Sequence, residues 1–400
     1  MNFGVVLVVI VALVTVTIAQ VDQYATQETK ILYQRLKQMA RDETKIMFGQ
    51  QQFSVLGAEG GHSPYLTKTL VHDNGIHGWI FGDKQARQHS PDDLCDVKRM
   101  TGSNPAMLGL DMHDLDYKGN ITSHWVGRLA YERGEVITVS MHHSNTVTGN
   151  SPWVKKDNGN VVKTVQRILP GGDHHENFKQ ILDQMAAWAN SFTDSNGKPI
   201  PAIFRFLHEL NGGWFWWGLH NKAQNTEHEL IELYRYMVKY LRDQKGVHNF
   251  LYAYSPDKFS DKTDYLKTYP GDDYVDVLGM DYYYSGSSST KANFQRMVKD
   301  VVEMAEERGK VSAVTETGYM NNGIDKIPNF WQDDILDVLK TEPTTKRIAY
   351  VLAWANHCSG NGHCQLWVPF KGHPAENDFV NNFYNDSLTV FSSDLTDMYH

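Results

Sequence analysis

The sequence has little cysteine, no long cluster of basic residues and no stretch of low complexity. Only 3 of its 400 residues are cysteine, and the formal net charge is −9. A protein that binds nucleic acid or an anionic membrane surface needs a basic patch that neutralises phosphate, so we expect neither partner. No Pro/Ser/Gly-rich linker and no fixed-period repeat interrupts residues 23–400. We therefore predict a single domain over residues 20–400.

Long apolar runs are also scarce, and the one that is present lies near the start of the chain. Residues 4–19 are uncharged and apolar, and the small residues Thr17 and Ala19 precede a possible cleavage site before Gln20. This pattern predicts a signal peptide over residues 1–19 and a secreted, extracellular protein without membrane attachment after its removal. A membrane anchor is the alternative, but the run is shorter than the roughly 20 residues that a span needs.

The three cysteines leave two interpretations open. In an oxidising compartment, Cys358 and Cys364 could form a disulfide that closes a small loop and leaves Cys95 free. Alternatively, the pairs His357-Cys358 and His363-Cys364 could bind a metal ion. Their spacing fits no standard zinc pattern, which favours the disulfide.

Two features bear on carbohydrate, although neither identifies a function by itself. Aromatic residues make up 12% of the chain, with 10 Trp and 20 Tyr, and their flat apolar rings suit the faces of sugars as well as a protein core. Asn120-Ile121-Thr122 and Asn385-Asp386-Ser387 match the N-glycosylation sequon, so Asn120 and Asn385 are candidate attachment sites.

Short β-branched or aromatic runs alternate with helical patterns along the chain. Such alternation predicts a parallel sheet, and eight runs fit a closed (β/α)8 TIM barrel of the α/β class better than an open sheet. The connections at residues 143–175 and 357–378 are long and follow strand C-termini, where barrel enzymes bind substrate. The eight predicted strands are residues 45–50, 106–111, 136–142, 202–208, 249–255, 275–283, 311–317 and 349–356.

Three helices are predicted from apolar residues that recur with a period of 3.6. They cover residues 176–192, 227–245 and 291–308. Thr226 and Glu229 form a capping-box pattern at the start of the second helix.

Polar side chains cluster at the C-terminal ends of five predicted strands. On a barrel all five groups face one rim, where charges are costly unless they are paired or used. The five groups are Met141-His142-His143, Arg205-Phe206-Leu207-His208-Glu209, Asp281-Tyr282-Tyr283, Thr315-Glu316-Thr317-Gly318 and Trp354-Ala355-Asn356.

The ends of strands 4 and 7 each carry a glutamate, Glu209 and Glu316. Glycoside hydrolysis needs such a pair, because one carboxyl protonates the leaving oxygen while the other attacks the anomeric carbon or activates water. A salt-bridge role is the alternative for either glutamate. Arg205 could be a structural arginine or could hold one carboxylate ionised.

The other candidates have packing as their alternative. His208 could bind a sugar hydroxyl or be a buried histidine whose hydrogen bonds are satisfied, and Trp214 and Trp354 could line a sugar cleft or fill the core. Tyr283 could donate its hydroxyl to a carboxylate. The histidines raise a metal interpretation, but no zinc-binding pattern is present, so we expect no metal and no other cofactor.

The segment from Arg205 to Gly218, RFLHELNGGWFWWG, resembles the strand-4 signature of glycoside hydrolase family 26, in which endo-β-1,4-mannanases predominate. Related families usually have Asn before the acid glutamate, whereas family 26 has His, as here at His208. Thr315-Glu316-Thr317-Gly318 resembles the strand-7 nucleophile motif. The resemblance covers essentially all of residues 23–390.

This resemblance implies that Glu209 is the acid/base and Glu316 the nucleophile, with His208, Arg205 and Tyr283 as their support. A second implied set contacts the mannosyl unit at the scissile bond, namely His142, Trp214 and Trp354. Two departures, Met141 where the family usually has Trp and Thr146 where it often has Pro, put the shape of the long strand-3 loop in doubt.

We therefore expect a monomeric, retaining endo-β-1,4-mannanase that acts on a polysaccharide substrate, mannan, glucomannan or galactomannan, by double displacement. The same mechanism on β-1,3-xylan or mixed-linkage β-glucan is one alternative. A catalytically silent carbohydrate-binding barrel and a metal-dependent hydrolase are the others.

Overall fold

A computed structural model describes most of the chain after residue 19. The predicted signal peptide lies outside the described residues, and so does the side chain of Asn120. Within the described part, every helix is too short or too polar to cross a lipid bilayer. The described residues are 20–58, 67–73, 76–81, 95–112, 117–149, 151–154, 156–157, 160–286, 290–358 and 364–400.

Eight parallel strands pair in chain order, and the eighth pairs with the first, in the register Met47 to Tyr350. The predicted (β/α)8 barrel is thereby confirmed. Residues 389–390 add a short parallel strand beside the first one. The barrel strands are β1 (Ile46–Gln51), β2 (Met107–Asp111), β3 (Val136–Ser140), β4 (Ala202–Arg205), β5 (Phe250–Tyr254), β6 (Val277–Tyr284), β7 (Val311–Tyr319) and β8 (Tyr350–Ala353).

Helices cover the outside of the barrel, and the three predicted helices are confirmed. The capping box of Thr226 and Glu229 is formed, and residues 240–244 continue that helix as a π-turn. The helices are α1 (Gln27–Met39), α2 (Asp96–Thr101), α3 (Tyr117–Glu132), α4 (Thr164–Ile168), α5 (His175–Ser191), α6 (Glu227–Lys239), α7 (Lys262–Leu266), α8 (Lys291–Glu307), α9 (Asp337–Thr341) and α10 (Glu376–Asp378). Further π-turns lie at Trp331–Leu336 and Phe379–Tyr384, and short 3₁₀ turns at Asp272–Tyr274, Gly323–Asp325, Pro343–Lys346 and Ser392–Asp394.

The predicted strands 4 and 8 are too long, because β4 ends at Arg205 and β8 at Ala353. After β4 the chain turns sharply, with Leu207 (φ +50°) and Glu209 (φ +52°) both in the left-handed region. Side chains with a Cβ adopt this region at a cost, so hydrophobic pattern alone predicts a continuing strand here.

The connection between β1 and β2 contains an element that the sequence analysis missed. Thr67–Asp73 pairs antiparallel with Ile76–Phe81. The intervening Asn74-Gly75 in the sequence is typical of two-residue hairpin turns and could have revealed it. Shorter hairpins pair Lys156–Asp157 with Asn160–Val161, and His357–Cys358 with Cys364–Gln365.

The apolar core fills the end of the barrel opposite the polar strand ends. Leu32 and Tyr33 of α1 belong to the same buried cluster as the strand residues Met47, Ile203 and Leu251. A second cluster packs the outer faces of the strands against the surrounding helices. The polar groups at the strand C-termini therefore lie at the opposite end of the barrel from this first cluster.

Cys358 and Cys364 are joined by a disulfide, which confirms that interpretation over metal binding. Cys95 is a buried free thiol. Asn322, after β7, anchors the same hairpin by donating to the carbonyl of Cys364 (2.8 Å) and accepting from the amide of Leu366 (2.9 Å).

Candidate active site

Three buried carboxyl groups meet at the C-terminal end of the barrel. Glu209 follows β4, Asp281 lies in β6 and Glu316 in β7. One carboxylate oxygen from each lies within 4.8 Å of the others. The two glutamates predicted to face each other across the barrel mouth are thus brought together.

Arg205, the last residue of β4, balances this negative charge. Its guanidinium donates to Asp281 Oδ2 (2.8 Å) and Ser255 Oγ (3.2 Å), and its other terminal nitrogen donates to Glu316 Oε1. The side chain is 2% exposed, so water screens these contacts little. Arg205 therefore fixes the position of Glu316 through a buried ion pair.

The left-handed turn directs Glu209 toward the other two carboxyl groups. Its amide donates to the carbonyl of Ser255, which follows β5 (2.8 Å). The indole Nε1–H of Trp214 donates to Glu209 Oε2 (2.5 Å). A backbone bond and a side-chain bond thus set the orientation of this carboxyl.

The surroundings of Glu209 favour its protonated form. Burial raises the pKa of this carboxyl well above its ordinary value, and the negative charges of Asp281, Glu316 and Asp257 raise it further. The hydrogen bond from Trp214 opposes the rise but does not cancel it. A carboxyl that stays protonated at mildly acidic pH can act as a general acid.

Glu316 is held through both of its oxygens. Oε1 accepts from Arg205, and Oε2 accepts from the hydroxyl of Tyr283 (2.6 Å). Tyr283 is itself packed edge-on against Trp367, with ring centroids 4.9 Å apart. A carboxylate fixed in this way has one orientation relative to the barrel mouth.

Two of the predicted histidines contact each other on the other side of the mouth. His142 Nε2 lies 3.1 Å from His208 Nε2, and His142 Nδ1 lies 2.5 Å from Asp111 Oδ2. The backbone carbonyl of His208 accepts a bond from Trp217 Nε1 (2.8 Å). The structure therefore places both residues next to the carboxyl cluster, in a connected polar network.

The four tryptophans near the carboxyl cluster differ in how deeply they are buried. Trp216 and Trp217 are buried, so core packing describes them, whereas Trp214 and Trp354 are only half-buried. The Trp354 ring lies 5.5 Å from that of His142. Rings exposed beside the carboxyl cluster can stack on sugar faces.

Sequence reasoning missed three residues of the site. Asp281 was noted at a strand end but not as a partner of Arg205, and Asp111 was not singled out although it ends β2. Trp153, 53% exposed, packs on Phe215 in the long connection after β3, with ring centroids 5.1 Å apart. The available signal was an acid at or near the C-terminal end of a predicted barrel strand, at its last position for Asp111 and two residues before its end for Asp281.

Among the described residues, the three clustered carboxyl groups are the only set of His, Cys, Asp and Glu close enough to hold a metal ion. Arg205 already donates to Asp281 and Glu316 at this position. A metal ion would have to displace that cation, so the donor set does not fit a metal centre.

Comparison with known proteins gives the chain its family. The profile of glycosyl hydrolase family 26 matches residues 21–357. A mannan endo-1,4-beta-mannosidase of Bifidobacterium adolescentis is 35% identical over 373 residues. The match covers 90% of this chain but 34% of that protein, so the chain spans about a third of its length.

Solved structures agree over nearly the whole chain. The β-mannanase BoMan26A of Bacteroides ovatus has a TM-score of 0.77 at 30% identity, covering 94% of this chain and 98% of that one. A modular endo-β-1,4-mannanase of Cellulomonas fimi has a TM-score of 0.78 at 33% identity, covering 96% and 79%. This chain is a member of glycosyl hydrolase family 26.

Proposed function

We propose that this chain is a retaining endo-β-1,4-mannanase in which Glu209 is the acid/base and Glu316 the nucleophile. The observation that carries the proposal is the approach of their carboxylate oxygens to within 4.8 Å. Retaining glycosidases have carboxyl groups about 5–5.5 Å apart, whereas inverting enzymes need about 6.5–9.5 Å to admit a water molecule.

In the first step, the proton of Glu209 passes to the glycosidic oxygen and Glu316 attacks C1 from the opposite face. The bond to the leaving sugar breaks and a covalent glycosyl ester of Glu316 forms. In the second step, Glu209 takes a proton from water, the oxygen of that water attacks C1, and Glu316 leaves. Two inversions give net retention.

The electrostatics favour this change of role. The charge of Glu316 contributes to the raised pKa of Glu209 in the free enzyme. Ester formation removes that charge, so the pKa of Glu209 falls when the intermediate forms. The same group is then a better base for the water that completes the reaction.

A mannan substrate is proposed from the relatives together with the aromatic rings beside the carboxyl cluster. The matched Bifidobacterium protein is named a mannan endo-1,4-beta-mannosidase. We place His142, Trp214 and Trp354 around the mannosyl unit at the scissile bond, and Trp153 beside the leaving sugars. The exposed Trp153 lies next to the segment that carries Trp214. The backbone amide of the following residue, Val154, donates to the backbone carbonyl of Trp214 (2.8 Å).

Product analysis tests the substrate and the mode of attack. Purified protein is incubated with mannohexaose, glucomannan, galactomannan, lichenan and β-1,3-xylan, and the products are resolved by chromatography. Early release of several mannooligosaccharides supports an endo-mannanase. Preferential cleavage of lichenan or β-1,3-xylan would support those substrates instead, and binding without reducing-sugar release would support a silent barrel.

We also propose that the protein is secreted and monomeric. The Cys358–Cys364 disulfide supports secretion, because such bonds persist in oxidising compartments. Asn385 is exposed, as a glycosylation site requires. N-terminal sequencing of the secreted protein should begin at Gln20, and light scattering should give a monomer mass. Intracellular retention of the intact chain would contradict this proposal.

A further inference from the structure

Asp111, the last residue of β2, holds the ring of His142 through the nitrogen that faces away from His208. Its carboxylate accepts bonds from His142 Nδ1 (2.5 Å), from the hydroxyl of Ser140 (2.8 Å) and from the main-chain amide of His142 (3.2 Å). The Asp111 side chain is 8% exposed. Three donors and burial leave this carboxylate one orientation.

Hydrogen bonds between the ends of β1, β2 and β3 support the carboxylate of Asp111. The side-chain amide of Gln51 donates through Nε2 to the carbonyl of Leu110 (2.9 Å) and to the hydroxyl of Ser140 (3.3 Å). A Cβ added at Gly109 would lie 1.9 Å from Gln51 Oε1, so the network needs a glycine there. The ends of β1, β2 and β3 thus support one carboxylate.

The geometry of the two histidines limits their protonation. His142 Nε2 and His208 Nε2 lie 3.1 Å apart, so one nitrogen must carry the hydrogen and the other must accept it. If His142 carries it, neutral His208 has its proton on Nδ1. Among the described residues, that buried atom has no hydrogen-bond partner.

The charges that face the pair decide between these states. Burial lowers the pKa of His142, and the charge of Arg205 lowers it further. The charge and hydrogen bond of Asp111, together with the charge of Glu316, outweigh both, so the net shift is upward. Burial lowers the pKa of His208 well below its ordinary value, and His142 and Arg205 lower it further. The proton therefore belongs on His142.

We propose that Asp111 is a positioning residue that holds His142 as a doubly protonated donor and thereby sets the tautomer of His208. The importance of Asp111 for catalysis rests on the proposed function, whereas the protonation states of His142 and His208 do not depend on it. In this state His142 donates its Nδ1–H to Asp111 and its Nε2–H to His208 Nε2, so both rings are held in one orientation beside the carboxyl cluster.

Nitrogen-15 NMR of the histidine-labelled wild-type protein tests the proposal without any assay of activity. His142→Gln and His208→Gln variants assign the two rings. We expect His142 protonated on both nitrogens through neutral pH, and His208 neutral with its proton on Nδ1. A neutral His142 at pH 7 would overturn the proposal, whether or not the protein hydrolyses mannan.

Asp111→Asn removes the charge and keeps the shape. The pKa of His142 should then fall toward or below the ordinary histidine value of about 6.5. We expect kcat/KM on mannohexaose to be about tenfold below wild type at neutral pH, the loss expected for one charge-assisted hydrogen bond. The deficit should shrink as pH falls, because acid restores the proton on His142.

Two further variants serve as controls. Asp22→Asn breaks another Asp–His pair, with His248 (2.7 Å), at the opposite end of the barrel, and should leave the pH profile of activity unchanged. Asp111→Glu restores the charge and should recover part of the loss. An Asp111→Asn protein with the wild-type His142 titration would overturn the proposal, and if that variant does not fold, the wild-type spectrum decides.

Discussion

One carboxylate oxygen of Glu209 and one of Glu316 lie within 4.8 Å of each other, although Glu209 follows strand β4 and Glu316 lies in strand β7. Two buried acids at this distance repel if both are ionised, and Arg205 donates to only one of them, Glu316. This asymmetry supports the two roles that we propose, in which Glu209 carries the proton and Glu316 is the attacking group.

Tyr283→Phe removes the hydroxyl that donates to Glu316 Oε2 (2.6 Å). A buried acceptor that loses a partner costs about 1–3 kcal/mol, so kcat should fall by about tenfold to hundredfold. The neighbouring Tyr282→Phe is the matched control, because its hydroxyl donates to the carbonyl of Thr290 instead. Equal effects of the two variants on kcat would show that Tyr283 acts only through packing.

Trp214→Phe removes the indole donor from Glu209 Oε2 and keeps an aromatic ring. Burial is the main cause of the raised pKa of Glu209, and the Trp214 bond opposes it. Loss of the bond should raise that pKa further. Because Glu209 must be protonated to act as an acid, the basic limb of the kcat/KM profile should move to higher pH.

Trp216→Phe is the control for this shift, because Trp216 donates to the carbonyl of His143 (3.0 Å) and not to Glu209. Its basic limb should coincide with that of the wild type. A Trp214→Phe profile that moves to lower pH, or does not move, would contradict the assignment of Glu209 as the acid.

Arg205→Met leaves Asp281 and Glu316 buried without their cation. Breaking a buried ion pair by removing one partner costs about 3–5 kcal/mol, so the free energy of unfolding in urea should fall by that amount. Adding Asp281→Asn removes one of the unpaired charges and should recover part of the loss. Arg167→Met breaks an exposed pair with Asp173 and should barely change stability. Additive effects of Arg205→Met and Asp281→Asn would contradict direct coupling.

The sequence predicts the barrel because eight β-branched or aromatic runs alternate with helical patterns, three of which show the 3.6-residue period that burial of one helix face produces. It does not predict that β4 ends at Arg205, since the left-handed φ angles of Leu207 and Glu209 depend on contacts made elsewhere, such as the bond from the Glu209 amide to Ser255. The predicted ends of strands 4 and 8 are therefore too late, because the apolar pattern continues beyond the last residue that pairs with a neighbouring strand.

The carboxyl pair could be predicted because each glutamate lies at the end of a predicted strand, within a recognisable motif. Asp111 could not be paired with His142 from sequence, because their contact depends on how β2 and β3 align, with Asp111 opposite Ser140. Asp281 aligns with Glu316 only after a register shift at Met280. Side-chain partners across strands follow from register, which short strands encode weakly.

Azide rescue on an activated β-mannoside tests the two roles most directly. Glu316→Ala and Glu209→Ala should each lose several orders of magnitude in turnover, and azide should rescue both with opposite stereochemistry. Azide replaces the nucleophile in Glu316→Ala and should give the α-mannosyl azide, whereas in Glu209→Ala it intercepts the glycosyl-enzyme and should give the β-mannosyl azide. Near-wild-type turnover of either variant, or the same anomer from both, would contradict the account.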